Sequence, residues 1–185
     1  QLQYQLGFGN AVHALAVVAE LEREDYDQRG FDAGFGNPNR DLDVDARSFG
    51  FEYRFSAGAV NTSLSARHDD NSDFDDAVSW RGGIAFEVRD GLTVFGSVGE
   101  AVKNPSFVER FGFFDTFIGN PDLEPERSES MELGARLTGD RYSIELALFD
   151  AELGNEINGF VFDPGTGGTT AANVIGTSER RGFEA

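Results

Sequence analysis

The chain has 185 residues, enough for one ordinary domain, with a net charge of −18 and no cysteine. That charge argues against a nucleic-acid partner, which needs clustered Lys and Arg, and the missing cysteines exclude disulfides, thiolate zinc sites and cysteine nucleophiles. No apolar run approaches the roughly 20 residues of a membrane-spanning helix, which rules out a helical membrane protein and leaves a membrane barrel of alternating strands open.

Residues 1–4 carry neither the basic stretch nor the apolar core of a signal peptide and read as the middle of a strand. From Ala11 onward, Leu15, Val17, Ala19 and Leu21 share a face opposite Glu20, Glu22 and Glu24. Phe49, Phe51, Tyr53 and Phe55 then oppose Ser48, Gly50, Glu52 and Arg54. Val60, Thr62, Leu64, Ala66 and His68 oppose Asn61, Ser63, Ser65, Arg67 and Asp69. Trp80, Ile84, Phe86 and Val88 oppose Arg81, Gly83, Ala85 and Glu87. A less regular strand is expected from Leu92 to about Val102. Met131, Leu133, Ala135 and Leu137 oppose Glu132, Gly134 and Arg136, and Tyr142, Ile144, Leu146 and Leu148 oppose Ser143, Glu145 and Ala147. A repeat of two predicts half-buried strands, not helices. Residues 181–185 read as the start of another strand, so both ends are expected to be cuts in a longer polypeptide.

The connections alternate. Gly7 to Asn10, Ser56 to Ala59, Asp90-Gly91 and Gly139-Asp140 are tight turns rich in Gly, Asn and Asp. Long polar loops are expected at about Tyr26 to Asp45, Asp69 to Ser79, Asn104 to Arg127 and Asp150 to Thr177. Short turns at one end and long loops at the other is the layout of an outer-membrane barrel. Trp80, Tyr142 and Phe55 are expected at headgroup level. The predicted fold is all-β: an antiparallel up-and-down transmembrane β-barrel, partial, with about eight strands.

A specific run lies between Val94 and Leu137. Asn104-Pro105-Ser106-Phe107 closes one strand. Asn120-Pro121-Asp122-Leu123-Glu124-Pro125-Glu126, followed by Ser128, Glu132 and Gly134, leads into the next. Asn173-Val174 and Arg181-Gly182-Phe183-Glu184 follow. This pattern resembles the barrel of TonB-dependent outer-membrane receptors. The resemblance implies a 22-stranded-type barrel, of which residues 1–185 are one part, with the plug domain and the closing C-terminal strands absent. It also implies energy-coupled uptake of a scarce ligand, such as a ferric siderophore, cobalamin or haem. The implied partners are outer-membrane lipid, the TonB energy-coupling protein acting through the absent plug, and a small-molecule or metal-chelate ligand. The implied place is the outer membrane of a Gram-negative bacterium. A passive porin-like barrel and a secreted all-β binding module are the alternatives.

Pro121 and Pro125 force the residues before them toward extended backbone and remove two donors, so this segment is expected to be a stiff lead-in. Asn104, Pro105, Asn120, Pro121, Leu123, Pro125, Glu126, Glu132, Gly134 and Gly182 are expected to be structural. Phe111, Phe113, Phe114 and Phe117 in the long loop are either ligand anchors or loop packing. Asp69, Asp70, Asp73, Asp75 and Asp76, and Asp41, Asp43 and Asp45, lack EF-hand spacing and read as solvated acidic loops. No catalytic motif, cofactor site or metal site is expected, and His13 and His68 fall on the apolar faces of their strands.

Overall fold

The structure is a computed structural model and describes residues 2–8, 10–32, 34, 36–114 and 116–185. Its main body is one antiparallel sheet. Among the described residues the strands are β1 (Leu2–Phe8), β2 (Ala11–Gln28), β3 (Arg40–Ala57), β4 (Val60–Asn71), β5 (Ala77–Arg89), β6 (Leu92–Lys103), β9 (Glu126–Gly139), β10 (Tyr142–Gly154) and β13 (Thr177–Glu184), paired in that order. That is nine strands, against about eight expected. Four short strands, β7 (Phe113–Phe114), β8 (Phe117–Ile118), β11 (Ile157–Asp163) and β12 (Gly168–Asn173), form a second sheet in the order β11-β12-β8-β7.

Register unites the strand faces read from the sequence. Val17 lies opposite Phe51, Phe51 opposite Ala66, Ala66 opposite Trp80. Further along, Val94 lies opposite Ala135, Ala135 opposite Leu146, and Leu133 opposite Leu148. Directly opposed residues share a face, so one continuous apolar surface runs across the sheet. It is bare: Leu133 is 65% exposed, Leu148 62%, Leu146 56% and Ile144 54%. A water-soluble sheet would bury this face in a core; a membrane wall leaves it to lipid.

Glycine shapes the ladder where aromatics need room. Phe95 pairs with Gly134 and Phe149 with Gly182. A Cβ on Gly134 would stand 2.3 Å from Phe95 Cζ, and one on Gly182 would stand 2.7 Å from Phe149 Cζ. Each ring therefore occupies the space a side chain would take on its neighbour. This is a physical reason for glycine at both positions.

The tight turns hold as expected at Ala57–Val60, Arg89–Leu92 and Gly139–Tyr142, with Gly58 at φ 54 and Gly91 at φ 74. The Gly7 to Asn10 turn includes Gly9, which lies outside the described residues. The long loops need correction. The Tyr26 to Asp45 segment is mostly ladder, because Gln28 pairs with Arg40 and only 29–39 connect β2 to β3. Asp41, Asp43 and Asp45 therefore sit on a strand, and Asp43 is ion-paired with Arg23 at 3.0 Å. The β4–β5 connection shrinks to 72–76. The other two loops carry α1 and the second sheet.

Candidate functional site

The segment after β6 starts with a capped turn. Ser106 opens α1 (Phe107–Phe111), and its hydroxyl accepts from the Glu109 N–H while Glu109 accepts from the Ser106 N–H at 2.8 Å. This reciprocal cap satisfies donors that so short a helix would otherwise leave orphaned. Pro105 is buried just before it.

From there the chain reaches over the polar face of the sheet to β2, four strands away. The Phe107 ring stacks on Tyr26 at 5.3 Å and 3°. The Gln28 side chain accepts from the Phe113 N–H at 3.2 Å and donates to the Phe113 carbonyl, as a neighbouring strand would. Arg110 pairs with Asp73 at 2.6 Å, and its guanidinium lies 4.6 Å from the Phe74 ring centre and 4.5 Å from that of Phe111. These contacts require the sheet to curve toward its polar face. Beneath α1 they leave a cleft of about 710 Å³ lined by Glu22, Glu24, Asp69, Asn71, Phe107 and Arg110, among others. Lower on the same face, Arg67 bonds Glu20 at 2.8 Å, Asp69 at 2.7 Å and Ser48 at 2.6 Å. This inner surface is polar and charged, the reverse of the outer one.

The Asn-Pro-x-Leu-x-Pro-Glu run ties this segment to the one after β10. Asn120 donates to the Ala171 carbonyl at 3.1 Å. Asn173 accepts from the Glu124 N–H at 2.9 Å and donates to the Glu124 and Asn155 carbonyls at 2.9 and 2.7 Å. Asn155, in the left-handed region at φ 55, donates to Glu124 at 2.8 Å, and Glu126 accepts from the Ile157 N–H at 2.7 Å. Leu123 is buried with Phe117 and Ala171, and Ile157 packs against them. Pro121 is exposed and Pro125 half-buried, with no polar contact of their own beyond shaping this path. Asn104 borders the cleft, and Glu132 stands on the inner face of β9 opposite Ser97.

The four loop aromatics separate. Phe117 is 3% exposed and Phe113 8%, so of the two readings offered for these aromatics both positions sit with loop packing. Phe114 is open to solvent and stacks on Phe117 at 4.9 Å, and Phe111 is half-buried beside Arg110. Sequence reasoning missed Tyr26, Gln28 and Arg110, and read Asp73, which pairs with Arg110, as part of a solvated acidic loop. Nothing in their local pattern announces partners tens of residues away.

A family model, TonB dependent receptor-like, beta-barrel, matches residues 1–185. The chain belongs to this family. Among curated proteins, the vitamin B12 transporter BtuB of Vibrio vulnificus strain YJ016 is 28% identical over 165 residues, covering 88% of this chain and 26% of that protein. Among solved structures, the siderophore receptor PirA from Pseudomonas aeruginosa superimposes with a TM-score of 0.79 at 20% identity, covering 98% of this chain and 34% of the other. The Serratia marcescens hemophore receptor HasR, solved with its hemophore HasA and heme, gives 0.78 at 14% identity over 98% of this chain and 37% of the other. At these identities the structures establish the fold. The chain spans about a quarter of the BtuB relative it matches. Within this TonB-dependent receptor barrel family the nine described strands are a length of wall.

Proposed function

We propose that this chain is part of an outer-membrane receptor of a Gram-negative bacterium that takes up a scarce small molecule or metal chelate, of the ferric siderophore, cobalamin or haem class. Energy would come from the TonB protein through a plug domain outside residues 1–185. The observation that carries the reading is the two-sided wall: an exposed apolar outer face, a charged inner face, and a folded loop assembly over the inner face. The relatives named as a vitamin B12 transporter and a siderophore receptor support the ligand class. In this arrangement the turns at Asp90-Gly91 and Gly139-Asp140 face the periplasm, and the Asn104 to Arg127 segment faces outside. Trp80, whose indole N–H reaches Glu100 at 3.4 Å, lies toward the outer headgroups, and Phe55 and Tyr142 lie beside the tight turns toward the inner ones. Phe114 and Phe111 are the aromatics we assign to ligand contact.

The test is uptake by cells carrying the full-length receptor as their sole route for a panel of radiolabelled siderophores, cobalamin and haem. Uptake of one compound that stops on adding a protonophore is the predicted result. Uptake indifferent to the protonophore would mark a passive barrel and overturn the proposal.

A further inference from the structure

We propose that residues 104–125 and 155–176 are one cap, latched to β2 and the β4–β5 loop by non-covalent contacts alone, and that the cap opens as a unit. The second sheet draws its strands from both loops. β8 belongs to the first and β12 to the second, and they pair in parallel at Phe117 and Thr169, with the Thr169 N–H donating to the Thr116 carbonyl at 2.8 Å. The small core is shared as well: Phe117 and Leu123 come from one loop, Ala171 and Ile157 from the other. Removing either loop exposes the apolar surface of its partner, so neither orders alone.

The cap's attachments differ from side to side. At β6, β9, β10 and β13 it is held by the chain itself, reinforced at β9 by Glu126 accepting from the Ile157 N–H, while the Asn120, Glu124, Asn155 and Asn173 bonds join the two loops to each other. At β2 and the β4–β5 loop no covalent link exists. There the contacts are the two Gln28–Phe113 bonds, the Tyr26–Phe107 stack, the Arg110–Asp73 pair and the Arg110 guanidinium over the Phe74 ring. Arg110 is largely buried in that pair, yet among the described residues its Nε has no hydrogen-bond partner. An unsatisfied buried donor makes this edge the less favourable one to keep closed. Release at the latch uncovers the cleft beneath α1 while the shared core stays intact. That release would admit a ligand rests on the receptor reading above; the release itself does not.

Hydrogen exchange on the full-length receptor in detergent tests this without any ligand. In a Gln28→Ala/Asp73→Ala variant, exchange should rise by about tenfold in peptides from both 104–125 and 155–176, the order expected from losing one or two net hydrogen bonds. Peptides from β9 and β10 should not change. A rise confined to 104–125 would show two independent loops and overturn the single cap. No rise in either would overturn the latch. If the double variant fails to fold, Gln28→Ala alone is read in the same way, with a smaller joint rise expected and the same two outcomes against the proposal. Uptake failing while exchange behaves as described would count against the receptor reading only.

Discussion

On the outer face of the nine-stranded sheet, Leu133, Ile144, Leu146 and Leu148 stand bare, whereas in the four-stranded sheet Phe117 and Ala171 are almost fully buried. The two regions lie in one chain and invert each other's logic. The wall is held by its hydrogen-bond ladder and by lipid on its apolar side. The cap is held as any water-soluble mini-domain is, by a small core and a satisfied polar network. Substitutions of the same chemical kind should therefore act differently in the two places.

The largest effect expected is in the cap. Phe117→Ala should cost about 3–5 kcal/mol of local stability, read as loop proteolysis of the folded receptor, with the barrel still resistant to unfolding in detergent. Loss of the barrel along with the cap would erase the distinction between the two regions. In the wall, Leu146→Arg should cost about 2–4 kcal/mol if Leu146 lies near the bilayer midplane, measured by equilibrium folding into vesicles. Its neighbour Glu145 faces inward and is ion-paired with Arg136. Glu145→Gln is then expected to cost about 1 kcal/mol or less. Glu145→Arg would cost more, because it would oppose Arg136 directly across the ladder.

A smaller effect separates backbone from side-chain fit. Gly134→Ala should destabilise the wall by about 1–3 kcal/mol through overpacking against Phe95. Combining it with Phe95→Leu should restore only part of the loss, because the added Cβ would also stand 2.7 Å from the Leu146 carbonyl oxygen. Absence of rescue would mean that Gly134 is needed for a reason other than the ring over it.

The smallest effect is electrostatic. At Glu109 burial works against the charged form, but hydrogen bonds from the Ser106 N–H and hydroxyl, with Lys103 nearby, hold its pKa below the ordinary carboxylate value. A carboxylate with a lowered folded pKa adds stability above the unfolded value, near 4.3, and loses it as pH falls through the lower folded one. Protection factors of the α1 amides should be flat from about pH 7 to 5 and fall below about pH 4. The Glu109→Gln variant should lack that fall.

How much of this was legible in the sequence differs between the same two regions. In β10 the alternation from Tyr142 to Leu148 was plain, because lipid on one side and water on the other impose a period of two. Beyond Leu21 in β2 both faces turn polar, with Arg23 and Asp25 on one and Glu22 and Glu24 on the other. The ladder continues to Gln28, but nothing apolar remains to mark it, and the segment read as a loop. In the cap, β8 has two residues and its partner β12 lies about 50 residues on, too far for any local pattern. The Asn120 to Glu126 run was recognisable as a stiff lead-in; that Asn173 and Ile157 are its partners was not, since hydrogen bonds between distant loops leave no periodicity.

The central claim is that even-numbered residues of β10 face lipid and odd-numbered ones face the water-filled interior. A nitroxide scan of positions 142–149 in the full-length receptor, reconstituted in vesicles, reads this directly through collisions with oxygen and with a water-soluble nickel chelate. Tyr142, Ile144, Leu146 and Leu148 should favour oxygen, and Ser143, Glu145, Ala147 and Phe149 should not, giving a strict period of two. Accessibility to the chelate at all eight positions, or oxygen exclusion at Leu146 and Leu148, would contradict a membrane wall.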